Sequence, residues 1–321
     1  MRRNGLTNRK VTHKAQQNQT STEENKQTVS KFLKACNKIS TKYELSCIFN
    51  MDETPLYMDM PHNTTLAERG TQSIEVVTSG NEKSRFTVCL TITADGRMLP
   101  AYILFKNLVK VPKVNCPDNV VINVNKSGTM NEFLICGYLQ KILKTEVSGK
   151  ECVLLMDEFK AHFTTDVSNE MKSIGINHQR IPGGFTSTLQ PLDVSINKPF
   201  KQYYQEQYYE WLDSENPIFT KSGNRQKPSY QCLVDMVSKA VSIMETQTAM
   251  INKSFVTTGI IQRGLLKKEE LNYRLKEFIT NDEDWDAEQD FIEEIASDYN
   301  GDDEYVHDEI VEESGSTFFN F

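Results

Sequence analysis

Apolar residues change their spacing several times along the chain, and each change predicts a different element. Val29, Phe32, Leu33, Cys36 and Ile39 recur at steps of three and four, which predicts a helix over residues 29–43. From Leu45 the runs become short and alternating: LSCIFNM, IEVVTSG, FTVCLTITADG and MLPAYILFK. The ADG between the last two is a turn signal, so residues 86–93 and 98–105 are expected to pair as a hairpin. Helical spacing returns over residues 130–144. A short, fully apolar strand, CVLLMD, follows, then a helix over 165–173, a strand over 175–181 and a long amphipathic helix from near Leu192. Antiparallel strands followed by alternating strand and helix predict an α/β fold, a mixed sheet with helices packed on it. Beyond Trp211 the segment NPIFTKSGNRQKP reads as a loop, and residues 229–245 and 265–278 read as helices.

The ends differ from the body. Residues 15–28, AQQNQTSTEENKQT, are polar and read as a linker or a solvated helix. With 321 residues the chain is long enough to bury a substantial core, yet only 38% of it is hydrophobic, so part of it is expected to lie outside that core. The net charge of −8 conceals a strong asymmetry. Residues 1–42 hold ten Lys and Arg against Glu23 and Glu24, residues 43–280 are balanced, and sixteen carboxylates lie between Asp282 and Glu313 with no Lys or Arg after Lys276. A basic arm, a neutral body and an acidic tail follow, with the tail too charged to fold by itself and expected to be disordered. No run approaches the ~18 apolar residues of a membrane helix, and no apolar segment follows the basic start as a secretory signal would require. The seven Cys are scattered without a C-x-x-C pair, which argues for reduced thiols over zinc knuckles or disulfides.

Three aspartates share one kind of context. Asp52 closes CIFNMDET, Asp157 closes CVLLMDEF, and Asp193 lies in GGFTSTLQPLD at the mouth of the long helix. Acids at strand ends in an α/β sheet project toward the crevice where ligands bind. Taken singly, such an Asp is more often a cap or turn residue. Converging carboxylates repel unless a cation neutralises them, and Mg²⁺, which prefers hard oxygen ligands, is the natural candidate. Glu53 and Glu158 alternate to the opposite face of an extended chain and are left out of the site. Gly183 and Gly184 read as a turn that needs positive φ. Pro191 suits the first turn of a helix, which places Asp193 near the positive end of its dipole. On that helix Lys198 and Lys201 are the phosphate candidates, whereas at least half of its aromatics are expected in the core.

NMDETP, TSGNEKSRFTVCLTITADGRMLPAYILFK, LLMDEFKAH and IPGGFTSTLQPLDVSINKPFK, in this order, resemble the DDE-type catalytic domain of pogo and Tigger transposases and their host-domesticated relatives. The resemblance covers residues 42–259. It implies an RNase H-like fold whose acids are Asp52, Asp157 and Asp193, with 35 residues between the last two. It implies two Mg²⁺ or Mn²⁺ ions, Asp52 bridging both and Asp157 and Asp193 each holding one, and phosphodiester hydrolysis or strand transfer on DNA. His162 matches the D-x-x-x-x-H pattern of the family, as a ligand-orienting or a structural residue.

The resulting organisation is a basic connector at 1–42, a catalytic domain at 43–215, a helical extension at 216–280 and an acidic tail at 281–321. MRRNGLTNRKVTHKAQ resembles only the last residues of a centromere-protein-B-type helix-turn-helix region. Arg2, Arg3, Arg9, Lys10 and Lys14 are candidates for non-specific phosphate contacts, a solvated connector or a nuclear-import patch. The tail is expected to cover the basic arm, recruit a basic partner, or serve only solubility. A nuclear protein with DNA as partner follows from the resemblance, with a homodimer as its further expectation. Two other classes stay open: a domesticated, catalytically silent DNA- or chromatin-binding protein, and a metal-dependent nuclease acting on RNA.

Overall fold

The computed structural model describes residues 22–60, 84–147, 149–159, 163–213, 219, 221, 226–262 and 267–279. His162, residues 1–21 of the basic arm, the IEVVTSG run, most of the NPIFTKSGNRQKP loop and the acidic tail lie outside the described residues, and with them the expectations placed there.

Helix α1 (Glu23–Lys42) opens the described chain. Thr22 caps it by accepting from the Asn25 amide at 3.3 Å, and Glu23 and Glu24 in the first turn complement the helix dipole. It therefore begins within the polar stretch read as a linker or a solvated helix, and from Glu23 the helix alternative holds, because a side-chain cap and first-turn acids favour helix where apolar periodicity gives no sign. Its buried stripe contains each apolar residue that predicted it: Val29, Phe32, Leu33, Cys36 and Ile39.

The sheet consists of β1 (Ile48–Tyr57), β2 (Arg85–Thr93), β3 (Ala101–Lys106), β4 (Val120–Asn125), β5 (Cys152–Asp157) and β6 (Ile176–Ile181). Its order is β4-β3-β2-β1-β5-β6. The β1-β2 and β2-β3 pairs are antiparallel, and β3-β4, β1-β5 and β5-β6 are parallel. The predicted β2-β3 hairpin is present, turning at Gly96 with φ 102°. Between β4 and β5 lies a helix, α2 (Glu132–Tyr138), continued through a π-helical turn at Leu139–Leu143 into α3 (Lys144–Glu146), as predicted for residues 130–144. Helix α4 (Thr165–Ser173) joins β5 to β6, and a short α5 (Thr186–Leu189) follows β6. A π-helical turn at Leu192–Ile196 then leads into α6 (Asn197–Leu212). This mixed six-stranded sheet flanked by helices is the RNase H-like architecture.

Strand alternation divides the core. Phe49 and Met51 of β1 and Leu154 and Met156 of β5 pack with Leu134, Ile135, Tyr138 and Leu139 of the α2 region and with Val167 and Met171 of α4. The alternate residues, Asn50 and Asp52 on β1 and Leu155 and Asp157 on β5, point to the other face. That face is covered by α6, whose Tyr204 and Tyr208 are buried, consistent with a core role for part of its aromatics. Tyr204 donates to the Tyr57 carbonyl at 3.0 Å, and the Tyr208 hydroxyl donates to Asp59. Helices α7 (Tyr230–Glu245) and α8 (Thr248–Thr257) complete this layer.

Three elements depart from the pattern reading. Strand β4 pairs at the sheet edge, and α8 was not expected at all. The predicted helix over 265–278 reduces, among the described residues, to one 3₁₀ turn at Lys268–Glu270 and α9 (Tyr273–Lys276). Asn272 interrupts it: its side chain caps α9 through the Leu275 amide and donates at 2.9 Å to the carbonyls of Thr188 and Thr257. Docking those orphaned helix-end carbonyls outweighs local helical propensity. All seven cysteines are free. Among the described residues, no helix is long and apolar enough to cross a membrane.

Candidate active site

The parallel register brings the first two acids together. Asn50 pairs with Leu155, and continuing that register by two residues sets Asp52 level with Asp157 on the same face of neighbouring strands. Adjacent strands lie about 4.8 Å apart, so the sheet itself delivers two carboxylates side by side. Both are partly buried. Asp157 ends β5 as expected, whereas Asp52 lies in the middle of β1, because antiparallel pairing with β2 carries that strand on to Tyr57.

The third acid arrives by helix. Gln190 is extended, φ −94° and ψ 116°, as a residue before proline prefers, so α5 stops there. Pro191 starts the next helical segment, and Asp193 falls in its first turn, as expected. This turn is π-helical, closed by the Asn197 amide on the Leu192 carbonyl. Such wide turns recur at functional sites.

One buried side chain clamps the three segments. Asn50, fully buried, donates through Nδ2 to the Leu155 carbonyl at 3.1 Å and accepts at Oδ1 from the Leu192 amide at 3.0 Å. It stands two residues before Asp52 and holds atoms two residues before Asp157 and one before Asp193. A second amide joins the acids directly. Asn197 Nδ2 donates to Asp52 Oδ2 at 2.6 Å and to Asp193 Oδ1 at 3.0 Å. Asp52, Asp193 and Asn197 thus form a hydrogen-bonded cluster, with Asp157 within electrostatic range of both acids.

The electrostatics follow from that crowding. Burial and then the Asp193 charge raise the Asp52 carboxyl from 3.8 to about 7, against the stabilising Asn197 hydrogen bond, and Asp157 adds to the rise. Burial raises Asp193 too, with the Asn197 donor opposing and the Asp157 charge adding. Although the residue as a whole is open to solvent, neighbouring atoms crowd its carboxyl. Lys201, two turns further along α6 and partly buried, is the nearest compensating cation: burial lowers its ammonium, and the charges of Asp52 and Asp193 pull it back up. Lys198 is exposed.

Two buried amides beside the acids lack hydrogen-bond partners: Asn197 at Oδ1, and Gln190 at both Oε1 and Nε2. Gln190 lies close enough to favour ionised Asp52, without forming a well-shaped hydrogen bond to it. Orphaned polar atoms in the interior are rare and expensive, so these mark room for a hydrated or charged guest. Carboxylate and amide oxygens are the hard donors that Mg²⁺ and Mn²⁺ take. The residues present therefore fit a divalent ion. Among the described residues, no three Asp, Glu, His or Cys side chains converge into a ready-made metal cage.

The excluded residues serve the frame. Glu53 accepts from the Met130 amide at 3.2 Å, and Glu158 accepts from the Gly183 amide at 3.2 Å, tying the end of β5 to the loop before α5. Gly184, with φ 80°, is the turn glycine expected. Pattern reading missed Asn50, Gln190 and Asn197. Two of them carried a signal: Asn50 shares a strand face with Asp52 at i−2, and Asn197 follows Asp193 at i+4.

The family described as DDE superfamily endonuclease matches residues 83–255. A human protein, pogo transposable element with KRAB domain, is 32% identical over 209 residues, 64% of this chain and 34% of that protein. Its mouse counterpart is 30% identical over 227 residues, 69% of this chain and 37% of that protein. The chain thus spans about a third of the length of these relatives. A crystal structure of the Mos1 strand transfer complex superposes with a TM-score of 0.48 at 12% identity, covering 80% of this chain and 64% of that one. Over more than half its length the chain carries the sequence of one family, and it belongs to the pogo-type DDE superfamily endonucleases.

Proposed function

We propose that this chain is a metal-dependent endonuclease or strand-transfer domain acting on DNA, with Asp52, Asp157 and Asp193 as its catalytic and metal-holding acids. The observation that carries the reading is the single Asn197 amide spanning Asp52 and Asp193, with Asp157 level with Asp52 on the neighbouring strand. Carboxylates are gathered here against their own repulsion, which a folded protein sustains where a cation repays it. Asp52 would be shared by a pair of ions, with Asp157 and Asp193 each holding one. Such ions activate an attacking oxygen and stabilise a leaving one. The chain's own groups bind and orient. Asn50 keeps the three backbones in register, and Lys201 offers its ammonium to a non-bridging phosphate oxygen. The covered sheet face behind Asp52 limits water to the open side, where Asp193 lies. A nuclear location goes with a DNA substrate.

The alternative reading is a DNA- or chromatin-binding descendant that keeps the fold and no longer cuts. One experiment separates the two. Supercoiled DNA is incubated with the protein in Mg²⁺ or Mn²⁺, beside Asp157→Asn and an RNA substrate. Metal-dependent nicking of DNA by the wild type alone is expected. Equal behaviour of wild type and variant defeats the enzyme reading, and preferential cleavage of RNA redirects it.

A further inference from the structure

We propose that Asn197 is a fourth metal-binding residue of this site, using the amide oxygen that now has no partner. The inference rests on the functional reading above and adds a residue that the acid pattern does not predict. Asn197 is 8% exposed, and its Oδ1 lacks any hydrogen bond. Its Nδ2 makes two bonds, both to carboxylates that belong to the cluster, Asp52 Oδ2 at 2.6 Å and Asp193 Oδ1 at 3.0 Å.

An amide between two acceptors must present its nitrogen, because its two N–H groups are the only donors it has. Nδ2 therefore does in the metal-free protein what a cation does in the loaded one, holding two like charges together. Once a cation lies between those carboxylates, an N–H aimed at it is repelled and an amide oxygen is attracted. Rotating the terminal amide by a half turn exchanges the two atoms without moving the helix. The side chain is thus a donor in one state and a ligand in the other. Its place on the chain supports this: Asn197 lies one helical turn after Asp193, across the π-helical turn, so one element supplies both groups. The fully buried Gln190, whose amide also lacks partners, lines the same space and leaves it polar on that side.

The test uses the full chain without DNA. Free Mn²⁺ is titrated by electron paramagnetic resonance against wild type, Asn197→Ala and Asn197→Asp, and thermal midpoints are measured in chelator. Asn197→Ala is expected to weaken Mn²⁺ binding by about ten-fold or more, the scale seen when groups supporting a metal are removed. Asn197→Asp restores an oxygen but adds a charge. It is expected to melt lower than wild type in chelator and to bind Mn²⁺ at least as tightly. This crossed pattern separates a ligand from a merely structural amide, for which both variants would lose stability and neither would change affinity. Wild-type affinity in Asn197→Ala, or an Asp variant whose affinity is weakened as in the Ala variant, overturns the proposal. Should Asn197→Ala fail to fold, the Asp variant decides alone. Wild type that binds no Mn²⁺ overturns the metal-dependent function itself, a distinct outcome.

Discussion

Replacing Asp52 by Asn is expected to make the metal-free protein more stable while removing its response to metal. In the folded state the Asp52 carboxyl is raised from 3.8 to about 7 by burial and by the Asp193 charge. Holding it ionised at neutral pH therefore works against folding by roughly 3 kcal/mol, taking about 1.36 kcal/mol per pH unit and a discount for its partial exposure. An amide at this position is uncharged, and its oxygen still accepts from Asn197, so most of that penalty disappears. For a folded body of this size the gain corresponds to a rise in Tm on the order of 5 °C. The sign of the pH dependence is set by a folded pKa above the unfolded one. The favourable contribution of the protonated acid is fully present below about pH 4 and is lost as pH rises through about 7. The advantage of Asp52→Asn is thus small near pH 4.5 and largest at pH 7.5. Adding Mg²⁺ at a hundred times its dissociation constant returns about 2.7 kcal/mol to the wild type by mass action and little to the variant. Differential scanning fluorimetry at both pH values, in chelator and in Mg²⁺, measures all four states. A variant less stable than wild type at pH 7.5 in chelator, or an advantage independent of pH, would refute the electrostatic account.

Three further outcomes are expected. Asn50→Ala strips the partners from the Leu155 carbonyl and the Leu192 amide in a fully buried place, so a loss of roughly 3 kcal/mol in urea unfolding is expected. Gly259→Ala introduces a Cβ that collides with Leu33 of α1 at φ 74°, and chemical denaturation is expected to show a loss of about 2 kcal/mol or more. Deleting residues 281–321 removes sixteen carboxylates and is expected to tighten DNA binding several-fold at low salt, with the difference vanishing at high salt; an unchanged affinity dismisses masking by the tail.

Local pattern was sufficient wherever the signal lies within one element. The apolar stripe of α1, the β2-β3 hairpin, β5, α4, β6 and the start of the segment leading into α6 were legible because burial on one face imposes a period of two or 3.6 on the chain. The same logic put Asp157 at the end of its strand and Asp193 in a first turn behind Pro191, whereas Asp52, expected at a strand end, lies within β1 because pairing with β2 extends that strand to Tyr57. Elements whose formation depends on neighbours were not legible. Strand β4 exists by pairing with β3 at an edge, and the helix expected over 265–278 breaks at Asn272 to satisfy carbonyls of other elements.

What the sequence determined by itself is the set of acids and the face each occupies, since side-chain alternation along a strand is a local property. What only the tertiary structure decided is that these faces meet: the Asn50-Leu155 register levels Asp52 with Asp157, and Asn50 and Asn197 reach across more than a hundred residues of chain to hold Asp193 beside them. A hydrogen bond between distant residues leaves no period in the sequence, and the balance of repulsion and desolvation at Asp52 comes into being only when the sheet and the helix close on one another.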